Sequence, residues 1–168
     1  MLKLWELSRS GDQARITQLR PGRRQLTPDQ LFLREELHHE FLDGVLDATT
    51  SDSFAQQFKA LFSQKKARDA SGVVYIWTTV RPIPRLSGRS PILYIGKTNT
   101  SLFRRHAQYA NKEATNSNWH RYEHIIREYG PITVLYSQCS NPAACERSFL
   151  NEYFSVHLEL PPLNSVYR

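Results

Sequence analysis

Hydrophobic periodicity divides the chain into a helical first part and a mixed second part. Between Thr27 and about Asp47, Leu31, Leu33, Leu37, Phe41 and Leu46 recur near helical spacing. Thr27 can cap such a helix, Pro28 suits its first position, and Gln30 stands where a capping box places its acceptor. A second helix is predicted from Ser51 or Asp52 through Phe54, Phe58, Leu61 and Phe62. It ends in Lys65-Lys66-Ala67-Arg68, whose charge complements the negative end of the helix dipole. The period then switches. Residues 72–78 are rich in β-branched and aromatic side chains and predict a strand, and residues 91–96 predict another. Helices are expected over about 102–112, 119–129 and 142–157, with a third strand at 132–137 after the stop signal Gly130-Pro131. Residues 1–26 show no firm periodicity and read as an irregular arm.

The order β-β-α-α-β-α predicts an α/β (α+β) fold. A small domain over residues 71–168 would have a short three-stranded sheet flanked by helices, and residues 1–70 would form an N-terminal helical extension. Between the first two strands, residues 79–90 are long for a hairpin loop. They carry Arg81, Arg85 and Arg89 and no acid.

Composition narrows the classes. No apolar run approaches the roughly 20 residues that cross a bilayer, and the N-terminal residues lack the apolar core of a secretory signal. No membrane association is expected, and a cytoplasmic location is. Cys139 and Cys145, with five residues between them, fit no common zinc spacing and are expected as free thiols. The formal charge is +6. Residues 1–70 are nearly balanced, with eleven Lys/Arg against ten Asp/Glu, whereas residues 71–168 carry eleven against six. Basicity on that half suits a polyanion.

The candidate chemistry lies on the same half. Tyr75 and Tyr94 fall on the two predicted strands, so their hydroxyls share one side if the strands pair. Gly96 and Lys97 follow Tyr94, and Arg105 and Tyr109 share a helix face at a spacing of four. Two glutamates on the last helix compete for the acidic role. Glu146 and Glu152 are six residues apart, about 240° around a helix, and cannot face the same cleft. Glu146 edges an apolar stripe through Phe149, Leu150 and Tyr153, and helical phase selects it. His106 is expected on the helix surface or partly buried.

In order and chemistry these residues resemble the GIY-YIG nuclease family. The matching positions are Val73-Val74-Tyr75, Tyr94-Ile95-Gly96, Leu102 to Arg105, Glu146, and Pro161 to Asn164. The resemblance covers about residues 70–168. It departs from the family pattern at Val73, which replaces a glycine, in a longer gap between the tyrosines, and in one extra residue between Gly96 and Arg105. Glu146 to Asn164 is also long, and spacing alone would select Glu152.

The resemblance implies a metal-dependent endonuclease acting on double-stranded DNA. Tyr75 would deprotonate the attacking water or pass on its proton. Tyr94 and Arg105 would position and stabilise the scissile phosphate, with Tyr109 and Lys97 assisting. Glu146 would hold one Mg²⁺ or Mn²⁺ per active site, and Asn164 would brace the site. Arg81, Arg85, Arg89 and Arg104 are candidates for gripping nucleic acid. The compact chain with added helices is most similar to the type II restriction enzymes of that family. A homodimer on DNA is then expected, with residues 1–70 serving DNA binding or dimerisation. Alternatives are a nuclease effector or repair nuclease, and an inert DNA-binding module.

Overall fold

A computed structural model describes residues 26–165. The arm expected over residues 1–26 therefore lies, apart from Leu26, outside the described residues. The fold is mixed α and β, as the pattern predicts, but the sheet has four strands among the described residues instead of three. Helix α1 spans Pro28–Arg34, and the short strand β1 spans Glu40–Phe41. Helices α2 (Ser51–Ser63) and α3 (Lys65–Asp69) follow, then the long strands β2 (Ser71–Pro84) and β3 (Arg89–Ser101). After them come α4 (Leu102–His106), a 3₁₀ turn at Ala107–Tyr109, α5 (Ala110–Glu113) and α6 (Asn116–Tyr129). Strand β4 (Ile132–Gln138) and helix α7 (Pro142–His157) complete the order.

All pairings are antiparallel, in the spatial order β1-β4-β2-β3. The strand missed from sequence, β1, has two residues and pairs Glu40 with Tyr136 and Phe41 with Leu135. It lies where the first helix was expected to continue. That helix stops early because Leu31 and Leu33 cannot both face a core at a separation of two. Leu31 is buried and Leu33 is exposed. Glu35 and Glu36 also place negative charge at the negative end of the helix dipole, and Glu36 takes a positive φ of 54°.

The helix expected from 51 to 68 is likewise two helices. Gln64 between them is extended, and its side-chain amide donates to Leu61 O at 2.6 Å. The same side chain receives Asp43 N at 2.9 Å, which ties the break to the loop before α2. Residues 79–90 are not a loop. The strands run on through them, leaving a turn at residues 85–88 in which Gly88 adopts φ 78° and Arg85 N donates to Gly88 O at 3.1 Å.

Alternation along β2 builds two cores. Val73, Tyr75 and Trp77 face α2, α3 and α6, where they meet Phe58, Phe62, Trp119 and Tyr122. Val74 and Ile76 face the other way, onto Leu31 and Phe32 of α1 and Phe149, Leu150 and Tyr153 of α7. Apolar side chains from both sides of the residue 70/71 boundary share each core. Burial of each large side chain contributes about 1.5–3 kcal/mol, so the sheet depends on both layers. Among the described residues, no helix is long and apolar enough to cross a membrane.

Candidate active site

The β2–β3 register places the two tyrosines. Tyr75 pairs with Gly96 and Trp77 with Tyr94, so Tyr75 and Tyr94 share the first face. Their ring centroids are 5.9 Å apart. Gly96 is what lets them meet. A Cβ there would lie 2.5 Å from Tyr94 Cε1 and 2.8 Å from the Tyr75 hydroxyl oxygen. The glycine of the motif is thus a spatial requirement, since its φ is not in the left-handed region.

Beyond β3, α4 begins at Leu102 with Ser101 Oγ accepting from Arg104 N at 3.2 Å. The helix is one turn long and passes through a 3₁₀ segment before α5, where the sequence predicts a continuous helix. Arg105 and Tyr109 still reach a common cleft. That cleft has a volume of about 580 Å³, and its lining includes Tyr94, Lys97, Arg104, Arg105, Tyr109, Glu146 and Asn164. Among the described residues, Glu146 is its one acid, facing four cations: Lys97, Arg104, Arg105 and Arg147. Glu152 lies in a different depression with Leu31 and Glu35, as expected for residues on opposite sides of α7.

Asn164 is held by the free edge of β3. Its side-chain Oδ1 accepts from Ile95 N at 3.0 Å, and its Nδ2 donates to Ile95 O at 2.8 Å. Leu163 N donates to Leu93 O at 2.9 Å. The Asn164 amide thus pairs with Ile95 as a strand residue would. Both of its polar ends are committed, so its part is to fix Ile95 and, beside it, Tyr94 and Gly96.

Tyr75 does not line the cleft. It is fully buried beneath it, and its hydroxyl makes no hydrogen bond of ordinary geometry among the described residues. Burial pushes the phenol pKa far up and Tyr94 adds to this, while Arg105 opposes it. The Arg105 guanidinium is raised in turn, first through the Tyr75 hydroxyl. His106 lies below, buried rather than on the surface. It stacks on Phe62 at 4.3 Å and meets Tyr75 edge-on at 5.0 Å. Burial, and then Arg105, lower its pKa to about 3, so the imidazole is neutral.

The remaining arginines of the sequence reading lie apart from the cleft. Arg81 donates to Arg127 O at 3.1 Å at the end of α6. Arg85 pairs with Glu159 at 2.6 Å, and Arg89 sits beyond the hairpin turn. None of the three lines the cleft. Sequence reasoning missed Arg147, Gln108 and residues 98–100, which complete its wall. Adjacency to Glu146 was the available signal for Arg147. Cys139 and Cys145 are free thiols.

For a divalent cation, the donor set is sparse. Among the described residues no group of three or more His, Cys, Asp or Glu converges to cage a metal. Mg²⁺, however, is commonly held by one or two carboxylates, with substrate phosphates and water completing its shell. Glu146 in a solvent-open cleft fits that mode. Comparison with protein-family models, with curated proteins and with solved structures finds no match.

Proposed function

We propose that this chain is a metal-dependent endonuclease of the GIY-YIG kind, hydrolysing DNA phosphodiester bonds, with a type II restriction enzyme as its most fitting form. One observation carries the reading. Side chains from β3, from α4 and the turn after it, from α7 and from the tail converge on a single cleft, above a tyrosine on β2. They are of the types a phosphodiesterase needs.

Tyr94 and Arg105 are placed to hold the phosphate, and Arg105 remains charged at any working pH. Lys97, Arg104 and Arg147 add positive charge where negative charge develops in the transition state. Tyr75 is a neutral phenol at rest, which supports relay over a standing phenolate. It would take a proton from water on its oxygen while its own hydroxyl proton passes to the Tyr94 oxygen, which releases its proton to the solvent of the cleft. Reaching water requires Tyr94 or Arg105 to give way, because Tyr75 is sealed beneath them. Glu146 would hold the cation, which when bound supplies charge neutralisation and help for the leaving oxygen.

The test is incubation with supercoiled plasmid and Mg²⁺ or Mn²⁺, beside Glu146→Ala and Glu152→Ala. Wild type and Glu152→Ala are expected to give discrete fragments, and Glu146→Ala about 10²-fold less or none. Tight DNA binding without cutting in either metal would replace the nuclease with an inert binding module.

A further inference from the structure

A second cavity, of about 490 Å³, opens beside the first. Tyr94, Arg105, Tyr109 and Leu163 line both, so the two are lobes of one groove with Arg105 and Tyr109 at the neck. The lobes differ in chemistry. The first is cationic and polar, with Glu146 its one acid among the described residues. The second includes Trp77, His106 and Tyr122 in its lining, with Lys112, Asn118 and Arg121 from α5 and α6.

Three features point to a ligand with a flat ring and a phosphate. Half-buried Tyr94 and Tyr109 give the second lobe aromatic walls on which any nucleobase can stack, above a floor that buried Trp77 and Tyr122 form. Trp77 Nε1 and His106 Nε2 are buried without a hydrogen-bond partner among the described residues, and both residues line this lobe. Native proteins seldom leave such groups unmatched, and the polar edge of a base offers both donors and acceptors. Lys112 and Arg121 are exposed, with Lys112 Nζ over the Tyr109 ring at 5.6 Å, and can meet a phosphate. Glu113, the acid among these residues, accepts from the Tyr122 hydroxyl at 2.8 Å.

We infer that the second lobe is a nucleotide subsite, taking the unstacked base next to the scissile phosphate while Lys112 and Arg121 hold the flanking phosphate. The choice of a nucleotide rests on the nuclease reading. The geometry implies that the substrate strand crosses the Arg105–Tyr109 neck and turns one base out of the stack. That is easiest at a mismatch, a strand end or a single-stranded stretch.

The experiment uses the full chain and the 5′-monophosphate of 2-aminopurine deoxyriboside, whose fluorescence is quenched when the base stacks on an aromatic ring. Saturable quenching is expected, weakened at least about fivefold in Trp77→Phe and in the Lys112→Ala/Arg121→Ala pair. Glu152→Ala, which lines neither lobe, should match wild type. The exposed pair keeps the test valid if Trp77→Phe does not fold. Quenching that inorganic phosphate displaces as readily as the unlabelled nucleotide does would overturn the inference in favour of a phosphate site. Absence of quenching, or quenching untouched by all three substitutions, would overturn it outright. Quenching with the expected variant pattern in a protein that cuts no DNA would uphold the subsite while removing the nuclease reading.

Discussion

The two ends of the β2–β3 hairpin hold the same three kinds of side chain in different surroundings. At the open end stand Tyr75, Arg105 and His106; at the closed turn stand Tyr153, Arg85 and His157. In both trios the tyrosine hydroxyl and the histidine Nε2 are buried without a partner among the described residues. In both, burial raises the phenol, Tyr153 to about 12, and lowers the imidazole. The arginines differ. Arg85 is 10% exposed and closed onto Glu159 at 2.6 Å, while His157 Nδ1 donates to Ser87 O at 2.6 Å and Leu86 N to Glu159 at 2.7 Å. Arg105 opens onto a cavity where, among the described residues, four cations meet one glutamate. Perturbed titration therefore marks both ends, and unbalanced charge facing open volume marks only one of them.

The strongest test of this contrast is removal of one hydroxyl. Tyr75→Phe is expected to lower DNA cleavage about 10²–10⁴-fold, the range for a lost proton-transfer group. Its melting temperature should hold or rise, because an unpartnered buried hydroxyl destabilises the fold. Wild-type cleavage with a lowered melting temperature would turn the open-end trio into a structural device like the other.

Acid is the next probe. The unfolded chain takes up a proton near pH 6.5 that folded His106 refuses until about pH 3. The unfolded state thus binds more protons in that window, and stability falls as pH drops. His106 alone should remove on the order of 3 kcal/mol between about pH 6.5 and 4. His157 shifts in the same direction and adds with the same sign. Melting temperature against pH, measured for wild type, His106→Gln and His157→Gln, apportions the slope. If only His157→Gln flattens it, the two ends are not alike.

The smallest effect belongs to the closed turn. Arg85→Met should cost about 1–3 kcal/mol, less than a fully buried pair because Glu159 is 27% exposed. Cleavage per folded molecule should not change. A fall in kcat without a fall in stability would return Arg85 to the nucleic-acid surface proposed from sequence.

What could be read beforehand follows the range of the forces involved. Local signals placed α7 at Pro142–His157, where Asn141 caps Ala144 N at 3.1 Å and Pro142 opens the helix. Helical phase separated Glu146 from Glu152 because a regular helix keeps its faces fixed over two turns. Non-local pairing was not legible. Strand β1 exists because β4 offers an edge to Glu40 and Phe41, and no propensity in two residues announces that. The arginines of residues 79–90 read as a basic loop because their partners, the Arg127 carbonyl and Glu159, are far along the chain. His106 shows no sequence sign of burial, since its cover comes from Phe58 and Phe62 on α2.

The clasp of Asn164 on Ile95 has a consequence for how the chain is made. The clasp lies 69 residues downstream of the strand it covers. At about 5–20 residues per second on the ribosome, the outer edge of β3 waits roughly 3–14 s for its partner to be synthesised. During that interval a row of open backbone donors and acceptors is available to any other extended segment, including the same strand on a neighbouring nascent chain. Expression yield should therefore respond to translation speed over the α7 codons and to chaperones that shield strand edges.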